Sequence, residues 1–276
     1  MTARGDDQAE PRHHWRVTTS AAPPPPNVAP PPGAPLTEAP PPGAPAPPSP
    51  SSAPPPGAPL TEASLAAAVD HLAARDPVLA ASVQRHGRPP LWARDPGFPT
   101  LVHIVLEQQV SLASARAAFD RLRAEADPLT PSAFLALDDA QLLVIGLSRQ
   151  KARYGRELAR AILDGRLDLD TLPLLDDDAV DARLTAVPGI GPWTATIYRL
   201  MVLGRPDAWP SHDMALAQAV ADLRGFDRRP GTAEMAELAD SWRPWRSAAA
   251  RILWHHYLSE RAARREHQGL GPGQDP

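Results

Sequence analysis

An all-helical protein is the fold class this sequence predicts, and three observations carry it. From residue 64 onward, apolar residues recur at offsets of three and four, the period of an amphipathic helix. No segment alternates apolar and polar residues over strand length. Serine, threonine or aspartate precedes several of the apolar runs, where it can cap a helix, and glycine or proline closes others.

The N-terminus stands apart. Of the 36 prolines in 276 residues, 20 lie in residues 1–60, among Ala, Gly and Ser and almost no large apolar side chains. Such a stretch buries too little surface to offset chain entropy, so residues 1–63 are expected to form a disordered tail of polyproline II character. It repeats PPPGAPLTEA at 30–39 and 54–63, with PPPGAP at 40–45. Glycine is not every third residue, which excludes collagen. The tail reads as an inert linker or as a Pro-rich ligand for a partner that the sequence does not identify. The start, MTARGDDQAE, lacks the apolar core of a secretory signal and no apolar run reaches membrane-spanning length, so a soluble, cytoplasmic protein without a membrane partner is expected.

Composition narrows the chemistry. The chain has no cysteine, which excludes disulfides, thiol nucleophiles and thiolate-bound metals or iron–sulfur clusters. From residue 64 onward 25 Lys+Arg face 27 Asp+Glu, so binding to nucleic acid would need a local basic face. Lys151 is the single lysine.

In chain order, Ser64 is placed to cap a first helix with Leu65, Ala68, Val69 and Leu72 on its apolar side. A Pro/Gly/Arg link at 86–98 follows. Thr100 precedes a helix whose stripe of Leu101, Ile104 and Val105 points on to Gln108. In the adjoining EQQVS, Ser111 caps the helix of Ala115, Ala118, Phe119 and Leu122. Ser148 caps a segment carrying Arg149, Lys151, Arg153, Arg156 and Arg160, which reads as structural with a basic rim. Asp176, Asp177, Asp178 and Asp181 begin a helix of Val180, Leu184 and Val187, and these acids suit its N-terminus.

Pro188-Gly189-Ile190-Gly191 ends that helix, and Pro192 opens another that runs through Trp193, Ile197, Leu200 and Met201 to Gly204. A helix–Gly-x-Gly–helix turn presents free backbone N–H groups at a helix N-terminus and favours an anion such as phosphate. Asp213 stands 22 residues after Gly191, ahead of the stripe Leu216, Ala219, Val220 and Leu223. WRPWRSAAARILWHHYLSE closes the pattern at 242–260, and residues 267–276 read as a second disordered tail.

LTAVPGIGPWTAT followed by PSHDMAL resembles the helix-hairpin-helix and Gly/Pro-rich loop with its following aspartate found in the helix-hairpin-helix DNA glycosylases, and is most similar to the DNA-3-methyladenine glycosylase II branch. GLS-x-x-K-A and W-x-P-W-R-S…W extend the resemblance over about residues 65–260. It implies a two-lobed helical glycosylase domain over 64–266, one lobe from 64–97 plus 206–266 and a central helical barrel from 98–205. The resemblance implies a monomer acting on double-stranded DNA that contains damaged bases, and a monofunctional enzyme that flips out alkylated purines and hydrolyses the bond from base to sugar.

Roles follow by position. Gly189, Ile190, Gly191 and Thr194 would hold a DNA phosphate. Gln109, with Gln108 beside it, would be the wedge filling the gap in the duplex. Trp193, Trp254 and Tyr198 would form an aromatic pocket suited to a cationic methylated base. Ile197 occupies a site where a type of this branch has tyrosine. Asp213 would stabilise charge on the sugar or activate water, and it is equally placed to be a helix N-cap. His212 is expected to be structural. Bifunctional relatives have a lysine two residues after the second hairpin glycine, where this chain has Trp193, so strand cleavage by that route lacks a nucleophile. No cofactor is implied beyond a monovalent cation on the hairpin backbone, and no side-chain metal site is expected. The competing readings are a non-catalytic DNA-binding or lesion-sensing protein, and a glycosylase for uracil or mismatched bases.

Overall fold

The computed structural model describes residues 58–267, and the two expected tails lie almost wholly outside that span. Twelve α-helices and one short 3-10 turn make up the described residues, with no strand among them. The all-α expectation therefore holds.

Two hydrophobic clusters organise the helices. The first draws on α3 (Phe98–Glu107), α4 (Leu112–Glu125), α5 (Pro131–Ala136), α6 (Asp139–Ile145), α7 (Arg149–Leu163), α8 (Asp177–Thr185) and α9 (Pro192–Met201). The second draws on α1 (Glu62–Ala73), α2 (Pro77–His86), α10 (Met214–Arg224), α11 (Thr232–Asp240) and α12 (Arg246–His267). Met201 and Trp254 pack against both clusters and so mark the seam between them. Burial follows the helical stripes: Leu101, Ile104, Leu122, Leu158, Val180, Leu184 and Leu216 are each fully buried.

Capping explains where most helices begin. Ser111, Ser148 and Asp176 accept hydrogen bonds from Ser114, Lys151 and Ala179 amides, as their positions predict. One expected cap is corrected. Thr61 caps α1, with Ser64 as the reciprocal partner in a capping box. Gly97 opens α3 without a side-chain cap, while Thr100 donates to Asp95 O. The chain is also packed earlier than Ser64, since Leu60 is buried and its N–H donates to Gly204 O at 2.8 Å.

The C-terminus of α9 shows how the two clusters are joined. A helix leaves its last carbonyls without internal partners. Here Tyr198 O accepts from Val202 and Leu203 N–H, Arg199 O from Arg205 N–H, Met201 O from Arg94 N–H, and Leu200 O from the Arg251 guanidinium at 2.9 Å. Arg251 is 1% exposed and also donates to Leu91 O at 2.7 Å and to Ser247 O. Burial pushes its guanidinium down to about 10, so it remains a cation at neutral pH beside the negative end of α9.

Candidate active site

The hairpin between α8 and α9 is braced from three sides. Gly189 has φ +95°, a conformation that glycine alone adopts without strain, and a Cβ placed there would fall 2.2 Å from Tyr154 Cγ. Gln108 Nε2 donates to Gly189 O at 3.0 Å and to Thr194 Oγ1 at 2.9 Å. Across the hairpin, Arg199 of α9 binds Asp181 and Asp177 of α8, each at 2.8 Å. Asp177 and Asp181 are thus engaged by Arg199, while Asp178 of the same helix is exposed. Lys151 Nζ reaches Leu106 O at 2.6 Å, and burial lowers its ammonium pKa.

These contacts bear on three of the expected site residues. Gln108 braces the hairpin, with both of its donor hydrogens committed to the turn. Thr194 is 1% exposed and its hydroxyl faces Gln108, so only its backbone N–H is available to an anion. Ile190 is 4% exposed and its N–H donates to Val187 O, which places it in the core of the turn. Gly191 differs from Gly189: its φ is −92°, and a Cβ there meets nothing within 4 Å. It offers no side-chain cap to the first amides of α9, which leaves that helix end open to an anion.

The two glycines should therefore respond differently. Gly189→Ala is expected to lose about 2 kcal/mol of stability, from the left-handed backbone and the collision with Tyr154. Gly191→Ala should stay within about 0.5 kcal/mol of wild type. Urea denaturation of the two variants checks this, and equal losses would contradict it.

Gln109, next to the brace, is exposed and adopts φ 57°. A left-handed non-glycine residue costs about 1 kcal/mol or more and persists only where its surroundings hold it. Val110 and Leu112 beside it are 45% and 54% exposed. Trp92 is the other described non-glycine residue with positive φ, at 49°.

A cleft of about 340 Å³ opens at the seam. Trp193, Ile197 and Met201 of α9 form one wall, Trp254, Tyr257 and Leu258 of α12 another, and Trp92, Arg94 and Glu107 a third. Tyr198 is not there. It is fully buried in the first cluster, where burial pushes its phenol up to about 12, and its neighbour Ile197 supplies the wall instead. Arg94 binds Glu107 through two parallel bonds of 2.8 and 3.0 Å, so the charged lining is internally neutralised. Neither Trp92 nor this pair was singled out from the sequence, because the link at 86–98 has no periodicity to orient its side chains.

Asp213 joins the hairpin helix to the cleft. It is the N-cap of α10: Oδ1 accepts from Ala215 N–H at 2.9 Å and Leu216 N–H at 3.0 Å. Oδ2 accepts from the Trp193 indole N–H at 3.1 Å. Trp193 and Ala215, its partners on both sides, line the cleft, and the carboxylate is half-buried. One oxygen is thus spent on the helix and the other is aimed by an indole. His212 is exposed.

A helical fold with a Gly-x-Gly hairpin, a helix-capping aspartate 22 residues on and an indole-lined cleft defines a class of protein, and sequence comparison agrees. The family model for the HhH-GPD superfamily base excision DNA repair protein matches residues 102–244, and the chain belongs to that superfamily. Among individual proteins, a putative DNA-3-methyladenine glycosylase, YfjP, of Bacillus subtilis is 27% identical over 198 residues, 69% of this chain and 68% of that protein. The DNA-3-methyladenine glycosylase of the same organism is 30% identical over 118 residues, 43% of this chain and 39% of its own length. The chain thus spans about two thirds of one of these relatives and well under half of the other. The Schizosaccharomyces pombe 3-methyladenine DNA glycosylase Mag1, solved with abasic DNA, superposes with a TM-score of 0.65 at 25% identity, covering 68% of this chain and 94% of that one. No helix among the described residues is long and apolar enough to cross a membrane.

Proposed function

We propose that this protein is a monofunctional DNA glycosylase that extrudes alkylated purines, of the 3-methyladenine and 7-methylguanine kind, from duplex DNA and hydrolyses the bond from base to sugar. The observation that carries the reading is Asp213, whose Oδ2 is held by the Trp193 indole at the edge of the aromatic cleft. A DNA-binding module would need the hairpin but would have no use for a carboxylate aimed in this way.

The parts divide the work as follows. Amides at the start of α9 anchor a phosphate beside Gly191. Arg149 and Arg153 make no ion pair among the described residues, and they add positive charge on α7, whose Tyr154 packs against Gly189. Gln109 enters the space left by the extruded nucleotide. The base lies between Trp193 and Trp254, whose indole faces attract the positive charge of a methylated purine. As the base leaves, Asp213 stabilises the cationic sugar, and water completes the hydrolysis. Lys151 is tied to Leu106 O and cannot serve as a Schiff-base amine, which supports the absence of lyase activity. A monovalent cation on the hairpin would bind backbone carbonyls. Val187 O and Gly189 O each accept one hydrogen bond and retain a second lone pair for it.

Release of free base from duplex DNA containing 3-methyladenine or 7-methylguanine tests the reading. Strand breaks are expected only after mild alkali. Absence of release would sink it, and nicking without alkali would overturn the monofunctional part. Trp193→Phe keeps the ring and removes the N–H donor to a charged acceptor, a bond worth roughly 1.5–3 kcal/mol. Single-turnover base release should slow by roughly tenfold or more, with little change in DNA affinity. A variant as fast as wild type would remove the indole from the mechanism.

A further inference from the structure

Behind the cleft, on the far side of α12 from Trp254, three metal-ligating side chains converge. His86 is the last residue of α2, and His256 and Glu260 stand four apart on α12, which puts them on one face. One donor atom from each lies within 4.8 Å of the other two. His86 Nε2 is 3.3 Å from Glu260 Oε1. Two ligands on a tetrahedral ion with bonds of about 2.1 Å stand about 3.4 Å apart, so this pair is already at ligand spacing.

The surroundings do not satisfy these atoms. His86 Nε2, both ring nitrogens of His256 and Glu260 Oε1 are buried and make no hydrogen bond, although buried polar atoms are nearly always paired. Arg85 Nη2 comes within 2.8 Å of Glu260 Oε1 but at an angle that makes an ion pair without a hydrogen bond. Its side chain is 66% exposed. A recess of about 280 Å³ bordered by Gln218, Asp222, Tyr257, Glu260, Arg261 and Arg264 opens on the Glu260 side of the cluster.

We propose that His86, His256 and Glu260 form a site for one divalent transition ion of the zinc class, with water at the remaining position. Two imidazoles and one carboxylate are the donor set that such an ion prefers, whereas calcium or magnesium would demand more oxygens. The ion would tie the end of α2 to α12, the helix that carries Trp254 to the cleft. It would be structural, and independent of the base-excision reading.

The test uses full-length protein stripped with a chelator and dialysed against micromolar Zn²⁺. Wild type is expected to retain one equivalent by atomic absorption and to melt at a higher temperature with Zn²⁺ than without. Glu260→Gln, which keeps shape and removes the anionic ligand, should weaken binding by at least roughly a hundredfold, and His86→Gln likewise. Arg85→Ala removes the competing cation and should tighten binding. Replacement by Co²⁺ should give the visible absorption of a tetrahedral ion. His13 and His14 near the N-terminus are an alternative anchor, so zinc retained equally by Glu260→Gln and His86→Gln would overturn the proposal. So would failure of both wild type and Arg85→Ala to retain any.

Discussion

Asp213→Asn is expected to slow base release by roughly a thousandfold while the protein stays folded and binds DNA, the scale on which a preorganised group facing developing charge acts. On the proposed reading, the two functions of this side chain lie on different oxygens. Oδ1 caps α10 through Ala215 and Leu216, and asparagine is as good a cap as aspartate. Oδ2 becomes an amide nitrogen facing the Trp193 N–H, so the negative charge and its orienting bond disappear together. Stability by urea denaturation should change by less than about 1 kcal/mol. Single-turnover kinetics on methylated duplex, with DNA binding measured in parallel, separates the outcomes. Activity within tenfold of wild type would reduce Asp213 to a cap.

Arg251→Met is expected to destabilise the protein by about 3 kcal/mol, read from urea denaturation. Methionine fills much of the volume but leaves the buried Leu200 O without a donor, at a cost of roughly 1–3 kcal/mol, and also removes the donor to the half-buried Leu91 O. The relief from no longer burying an unpaired cation offsets part of that loss. Leu200 O belongs to α9, and Leu91 O to the link that precedes Trp92 and Arg94. The variant should therefore also loosen the cleft, and base release should fall more than the lost stability alone explains. A change below about 1 kcal/mol would mean that water replaces the guanidinium.

Where a cap and an apolar stripe coincide the helices were legible in the sequence, because those signals are local, whereas α2, α5, α6 and α11 were not read from it. Ser111, Ser148 and Asp176 each cap within three residues, and the apolar stripes need only one turn to show. The Gly189 turn and the cap geometry of Asp213 were legible for the same reason. Side-chain direction was not. Ile197 and Tyr198 differ by one step of a helix, about 100°, and only packing decides which faces the cleft. Gln108 and Gln109 are likewise adjacent, but a left-handed backbone at Gln109 turns one inward to the hairpin and the other out. Trp92, Arg94, Glu107 and the His86 cluster depend on contacts between segments far apart in sequence, which periodicity does not carry.

The Gln108 brace has one more consequence. It fixes the tip of α3 to the hairpin through Gly189 O and Thr194 Oγ1, with Gln109 the very next residue. On the proposed reading, the phosphate grip and the intruding side chain then belong to one rigid caliper, whose jaws cannot open independently. Such a tool would gauge the spacing between a gripped phosphate and a yielding base pair before any base enters the cleft. Its first question to the duplex would be mechanical: whether the strand gives way at one set distance from the point where it is held.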